Sequence, residues 1–317
     1  MDLEMVLNEL SINRPADDIR TAQQWMSDLI ATARAASEAG VKRVLRTHID
    51  INSTLLAEDY PLARWRNDSN VDVEIRRYFR VLVTQYPPLA DLPEIENQIL
   101  SQDFFHMDER AYGLGVAFLI EGLAVSFRSD RKWDYYKIDL NTQWLDDDGN
   151  LSSTTIQVPH ANQAEHIVEL TRWISDRLQT GVESGEDLWN RMNELFPSLI
   201  FCENVGKVIR YFQSGSPLLR QVVRRLFEIE NYCNVWETGP FSPEGLPFKV
   251  TGESEPTLQK YEAERTFLCP DGEKRTFSWH GRVTPGAWRI YFDPSPGPGR
   301  MYIGYIGPKL PSVKFPT

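Results

Sequence analysis

The sequence predicts an α+β protein in two domains: N-terminal helices with an antiparallel sheet over residues 1–196, then a smaller βααβββ(β) domain over 197–317. Three observations carry this. Apolar residues recur at spacings of three and four over 16–39, 71–85 and 164–179, the period of an amphipathic helix. Between these segments the period falls to two, as on half-buried strands. After Pro197, two helical segments precede four strand-like ones separated by turns rich in Gly and Pro.

The first helix, 16–39, puts Ile19, Ala22, Met26, Leu29 and Ala33 on one stripe, with Pro15 suited to its first turn and Gly40 to its stop. A short strand at 41–45 follows, then a long polar loop over 50–68 anchored by Trp65. The helix 71–85 carries Ile75, Tyr78, Phe79 and Leu82 and ends at Pro87-Pro88; a short helix is expected around 94–100. Segments 113–127, 133–144 and 153–158 read as strands, with Asp146-Asp147-Asp148-Gly149-Asn150 as a hairpin turn. Helices return at 164–179 and 185–195.

In the second domain, 198–202 is a short strand, and 203–212 and 217–233 are helices parted by Gln-Ser-Gly-Ser. The second of these has Leu218, Val222, Leu226 and Ile229 inside and Arg220, Arg224 and Arg225 outside that stripe. A loop rich in Gly, Pro and Glu covers 237–257. The strands 265–269, 276–283, 287–292 and 301–306 close the chain, joined by Pro-Asp-Gly, Thr-Pro-Gly and Pro-Ser-Pro-Gly-Pro-Gly turns.

Charge divides with the domains. The chain's net charge of -11 combines -14 over 1–196 with +3 over 197–317. This excludes a protein that coats DNA but leaves RNA open to the second domain. No run of about 18 apolar residues is present, so no membrane-spanning helix is expected. Cys202, Cys233 and Cys269 form an odd, sparse set that points to reduced thiols and a cytoplasmic setting, without disulfide or zinc site.

Most chemical motifs fail. The Asp146–Asp148 turn would place Trp144 and Thr155 at the first and twelfth positions of a calcium loop, which excludes that loop. Gly113-Leu-Gly115 lacks the third glycine of a dinucleotide fingerprint, and GxxxxGK[ST], GxSxG and HExxH are absent. His48, His106, His160 and His166 read as surface or core-satisfied histidines. Arg43/His48 and Arg275/His280 share an Arg-x4-His spacing that chance alone supplies. No metal and no cofactor is expected.

The informative stretch is Phe277-Ser-Trp-His280-Gly-Arg282, then Trp288-Arg289-Ile-Tyr291-Phe, then Arg300-Met-Tyr302-Ile-Gly-Tyr305-Ile-Gly-Pro-Lys309. Strand alternation allows a register with His280, Arg282, Arg289 and Tyr291 on one face and Tyr302 or Tyr305 and Lys309 near its edge. Arginine forks hold phosphate oxygens, aromatic rings stack on splayed bases, and a histidine exchanges protons near neutral pH. Gly304 and Gly307 would let an RNA chain approach the backbone.

These residues resemble the closing pattern of the RelE/ParE toxin superfamily, over roughly 197–317; Arg289-Ile-Tyr291-Phe matches its central-strand R-I-x-[YF]. The resemblance implies a RelE-like fold, action on RNA at the ribosome, and metal-independent endoribonuclease chemistry of toxin–antitoxin or defence type. It implies Arg289 as phosphate clamp, His280 or Tyr291 as acid/base group, and Arg282, Tyr302, Tyr305 and Lys309 as substrate-binding groups. The chain departs from the family in its large acidic partner domain and in the insertion over 237–257. An alternative is a non-catalytic protein–protein module of a larger cytoplasmic assembly, whose acidic domain contacts a protein partner. A hydrolase site shared by both domains is a third reading.

Overall fold

A computed structural model describes residues 3–47, 49, 51–84, 95, 101–145, 149–179, 181–283 and 288–314. The expected roles of His48, of Pro87-Pro88, of the helix at 94–100 apart from Ile95, of the Asp146–Asp148 turn and of the turn at 284–286 lie outside them. The chain has the predicted α+β class and divides into two compact units, Met1–Gly181 and Val182–Thr317. The division falls before 185–195, so that helix joins the second unit.

In the first unit, β1 (Met5–Leu7) leads through a 3-10 turn to α1 (Ile19–Glu38). The helix begins three residues later than its apolar period indicates. Ala16 is held extended by its N–H bond to Leu56 O, 2.8 Å, and Asp18 caps the helix by accepting from Thr21 N at 2.8 Å. Gly40, at φ +103°, follows the helix end in the left-handed region that glycine tolerates. Then come β2 (Leu45–Arg46), β3 (Leu55–Ala57), β4 (Tyr60–Pro61), α2 (Leu62–Trp65) and α3 (Val73–Thr84). The segment read as a loop is thus partly ordered, around a fully buried Trp65.

After β5 (Gln102–His106) and β6 (Glu109–Arg110), the stretch expected as paired strands forms helix α4 (Tyr112–Leu119) and a single strand, β7 (Leu123–Val125). Its residues are apolar on every side, so no period separates a buried helix from a strand. The deciding contact is distant in sequence: the buried Glu9 carboxylate accepts from Tyr112 N and Gly113 N, at 2.7 and 2.6 Å, and caps the helix. Burial raises that carboxyl's pKa despite these bonds. β8 (Lys137–Leu145), β9 (Leu151–Ala161), α5 (Ala164–Glu169) and α6 (Thr171–Gln179) complete the unit.

The first sheet has the order β2-β1-β7-β9-β8-β5-β6. β2, β1, β7 and β9 run parallel, while β9, β8, β5 and β6 pair antiparallel. It is therefore mixed where an antiparallel sheet was expected. Crossover α1 between β1 and β2 is what makes parallel pairing possible.

The second unit begins with α7 (Gly185–Leu195), β10 (Leu199–Phe201), α8 (Glu203–Ile209) and α9 (Pro217–Val235). Arg220, expected outside the inner stripe, is buried, and Glu230 turns inward to accept from Ser198 N at 3.0 Å. The expected loop over 237–257 contains β11 (Val250–Gly252) and leads into α10 (Glu255–Arg265). β12 (Thr266–Leu268) and β13 (Lys274–Thr276) form a separate ribbon. β14 (Trp279–Arg282), β15 (Trp288–Asp293) and β16 (Met301–Pro308) complete a sheet ordered β10-β16-β15-β14-β11. β10 pairs parallel with β16 and the rest are antiparallel. No helix among the described residues is long and apolar enough to cross a membrane.

Candidate functional site

The register of β14, β15 and β16 brings the expected residues onto one face. His280 lies opposite Tyr291, which lies opposite Tyr305; Arg282 lies opposite Arg289, which lies opposite Gly307. A bulge shifts the β15–β16 pairing after Tyr291, and Tyr302 then pairs with Asp293. Lys309 follows immediately after β16.

This face is roofed. Phe267 of the β12–β13 ribbon stacks on Tyr305 with centroids 5.8 Å apart, and Phe277 packs beside it. The Arg275 guanidinium lies 4.5 Å over the Tyr302 ring, and Tyr302 donates to Asp271 at 2.8 Å. Arg275 holds the Asp271 carboxyl well below the usual carboxylate range, so this polar rim stays ionised. Beneath it Tyr291 is fully buried, Arg289 is 3% exposed and His280 7%. Arg289 donates from Nη1 to Trp288 O at 3.0 Å. The glycines expected to admit a substrate chain admit the protein's own rings instead. A Cβ on Gly304 would lie 2.6 Å from the Phe277 ring, and one on Gly307 2.4 Å from the Tyr305 hydroxyl.

Burial separates the two acid/base candidates. It pushes the Tyr291 phenol up to about 12, helped by the nearby Glu253 charge, and its oxygen accepts from Leu310 N at 3.3 Å. At neutral pH such a phenol holds its proton and cannot act as a base. His280 differs because it sits next to an edge strand. β11 pairs Thr251, an exposed residue, with His280, and Thr251 Oγ1 lies 3.1 Å from His280 Nε2. On the other side, Nδ1 faces Glu253 Oε1 at 3.4 Å, an electrostatic contact longer than an ordinary hydrogen bond. Arg265, wholly buried, donates to the same Glu253 oxygen at 2.9 Å. Tyr291 stacks beneath the imidazole at 5.1 Å.

The result is a chain of hydroxyl, imidazole, carboxylate and guanidinium reaching the surface at Thr251. The nearby carboxylate favours a proton on Nδ1, leaving Nε2 as the accepting atom that faces Thr251. A histidine with a carboxylate near one ring nitrogen and a hydroxyl against the other is poised for proton exchange. Thr251 and Glu253 were missed in sequence because they lie in the stretch read as a loop, and Arg265 because it was read as the start of a strand, whereas it ends α10. The alternation of Val250, Thr251, Gly252 and Glu253 was the available signal. Cys202 and Cys269 add a further polar pair under the ribbon, their sulfurs 3.4 Å apart. No protein-family model, curated protein or solved structure matches the chain.

Proposed function

We propose that the second unit associates with RNA or a ribosomal surface, in a toxin or defence role of the kind its resemblance to the RelE/ParE superfamily implies. We further propose that it cleaves RNA without a metal, through His280. The observation that carries this reading is the Thr251–His280 contact at an exposed sheet edge, with the Glu253 carboxylate 3.4 Å from the other ring nitrogen. His280 Nε2 takes the proton of a ribose 2′-hydroxyl, which reaches it once the Thr251 side chain rotates away. The 2′-oxygen bonds to the adjacent phosphorus, the bond to the 5′-oxygen breaks, and that oxygen takes a proton from solvent water, while the proton on Nε2 returns to solvent. The products are a 2′,3′-cyclic phosphate and a 5′-hydroxyl. Arg282, on the same strand face as His280 and half-buried, offers charge to the phosphorane. Arg289 and Tyr291 support the sheet beneath.

The test is incubation of the purified chain with RNA in a chelator, with product ends read by mass spectrometry. Cyclic phosphate ends that persist in Tyr291→Phe and vanish in His280→Ala support the reading; intact RNA with the wild type overturns cleavage. One observation favours the second reading, a non-catalytic protein–protein module: the ribbon covers the face that a substrate chain would need. Intact RNA together with a stable protein partner retained through the second unit would support it.

A further inference from the structure

A second candidate site lies wholly in the first unit. The chain leaves β1 through α1 toward β2 on one side, and leaves β7 toward β8 and β9 on the other. β1 and β7 are adjacent and parallel, so their following connections diverge. In sheets of this kind the divergence opens a crevice at the carboxyl ends of the strands, where ligands bind. Two adjoining clefts of about 570 and 300 Å³ lie there, between the start of α1 and the segment after β7, and share Thr21, Trp25, Ser129 and Asp130.

The walls are tied together from beneath. Asn8 donates to Ser126 Oγ at 3.0 Å, Phe127 N to Ser11 Oγ at 3.0 Å, and Ser129 Oγ to Ser11 O at 2.5 Å. Ser126 rests in turn on the buried His160, 2.7 Å away. Such bracing means a ligand need not order the loops on arrival. Arg20, Arg128 and Arg131 line the larger cleft, and Arg14 and Lys132 the smaller. Arg128 Nε lies 3.9 Å from Asp134 Oδ1, a loose ion pair. Arg14 and Arg131 have no ion-pair partner among the described residues.

We propose that this crevice binds a nucleoside phosphate. The arginines supply phosphate donors, the half-buried Trp25 between the two clefts supplies a face for a base, and Asp28 and Asp130 supply acceptors for hydroxyl or amino groups. The space exceeds that of one phosphate, and a ring and cations are found together in it. The inference is independent of RNA chemistry in the second unit.

The purified chain is titrated calorimetrically with ATP, GTP, CTP and UTP, and separately with adenosine and inorganic phosphate. At least one nucleotide binds with a Kd below about 1 mM. Arg20→Ala and Arg131→Ala, both at exposed positions, each weaken it about tenfold, the loss of one charge-assisted hydrogen bond. Arg282→Ala, in the second unit, leaves it unchanged. The proposal is overturned by no nucleotide binding, by affinity unaltered in both cleft variants, by affinity lost in Arg282→Ala, or by inorganic phosphate binding as tightly as the nucleotide.

Discussion

Acid should destabilise the first unit through one histidine. His160 is fully buried, with Nδ1 2.6 Å from Tyr135 O and Nε2 2.7 Å from Ser126 Oγ. Its Nδ1 proton goes to the carbonyl, and Nε2 accepts from the serine. Burial lowers its pKa to about 4 from the ordinary 6.5; the nearby His166 and His106 push the same way, while Tyr135 O and Asp134 oppose. The folded pKa lies below the unfolded one, so the unfolded chain binds the extra proton. Its contribution is therefore complete above pH 6.5 and lost as pH falls toward 4. The difference of about 2.5 pH units corresponds to about 3 kcal/mol in full, and to about 2 kcal/mol already at pH 5. Urea titrations at pH 7 and pH 5 of wild type and His160→Gln measure it. The wild type should lose about 2 kcal/mol more than the variant over that interval. Equal losses in both, or an NMR titration of the His160 ring near 6.5, would refute the reasoning.

Other expectations follow from single contacts. Arg265→Ala should cost about 3–5 kcal/mol in chemical denaturation, because it strands the buried Glu253 carboxylate; a cost below about 1 kcal/mol would mean the pair is solvated. Gly113→Ala should cost about 2–3 kcal/mol, since its Cβ would meet Leu7 O at 2.1 Å, and an unchanged Tm would contradict that packing. In the folded chain Cys202 and Cys269 should resist alkylation, as burial pushes the Cys202 thiol up. Slow oxidation by a disulfide reagent should join these two and leave Cys233 free, as read by peptide mapping; a disulfide to Cys233 would contradict the 3.4 Å approach.

Elements with a clear period were legible in sequence. α1 beyond its exposed first residue Ile19, α3 and α9 kept their apolar stripes, and the alternation in β14 to β16 gave the shared face of His280, Arg282, Arg289 and Tyr291. The helix at 112–119 was not legible, because Glu9 decides it from more than a hundred residues away. The roof over the C-terminal face was hidden for a related reason. Strand alternation says which side a residue points to, but not what covers that side. The partner of His280 is set by pairing across 29 residues, between β14 and a strand buried in what read as a loop.

The central claim is that RNA meets the second unit at the Thr251–His280 edge and not on the roofed face. Ultraviolet crosslinking of bound RNA, with adducts located by mass spectrometry, tests it most directly. The account predicts adducts on the strands around Thr251 and His280, and none on Tyr291 or Tyr305. Adducts on those buried tyrosines, or none anywhere in the second unit, would contradict it.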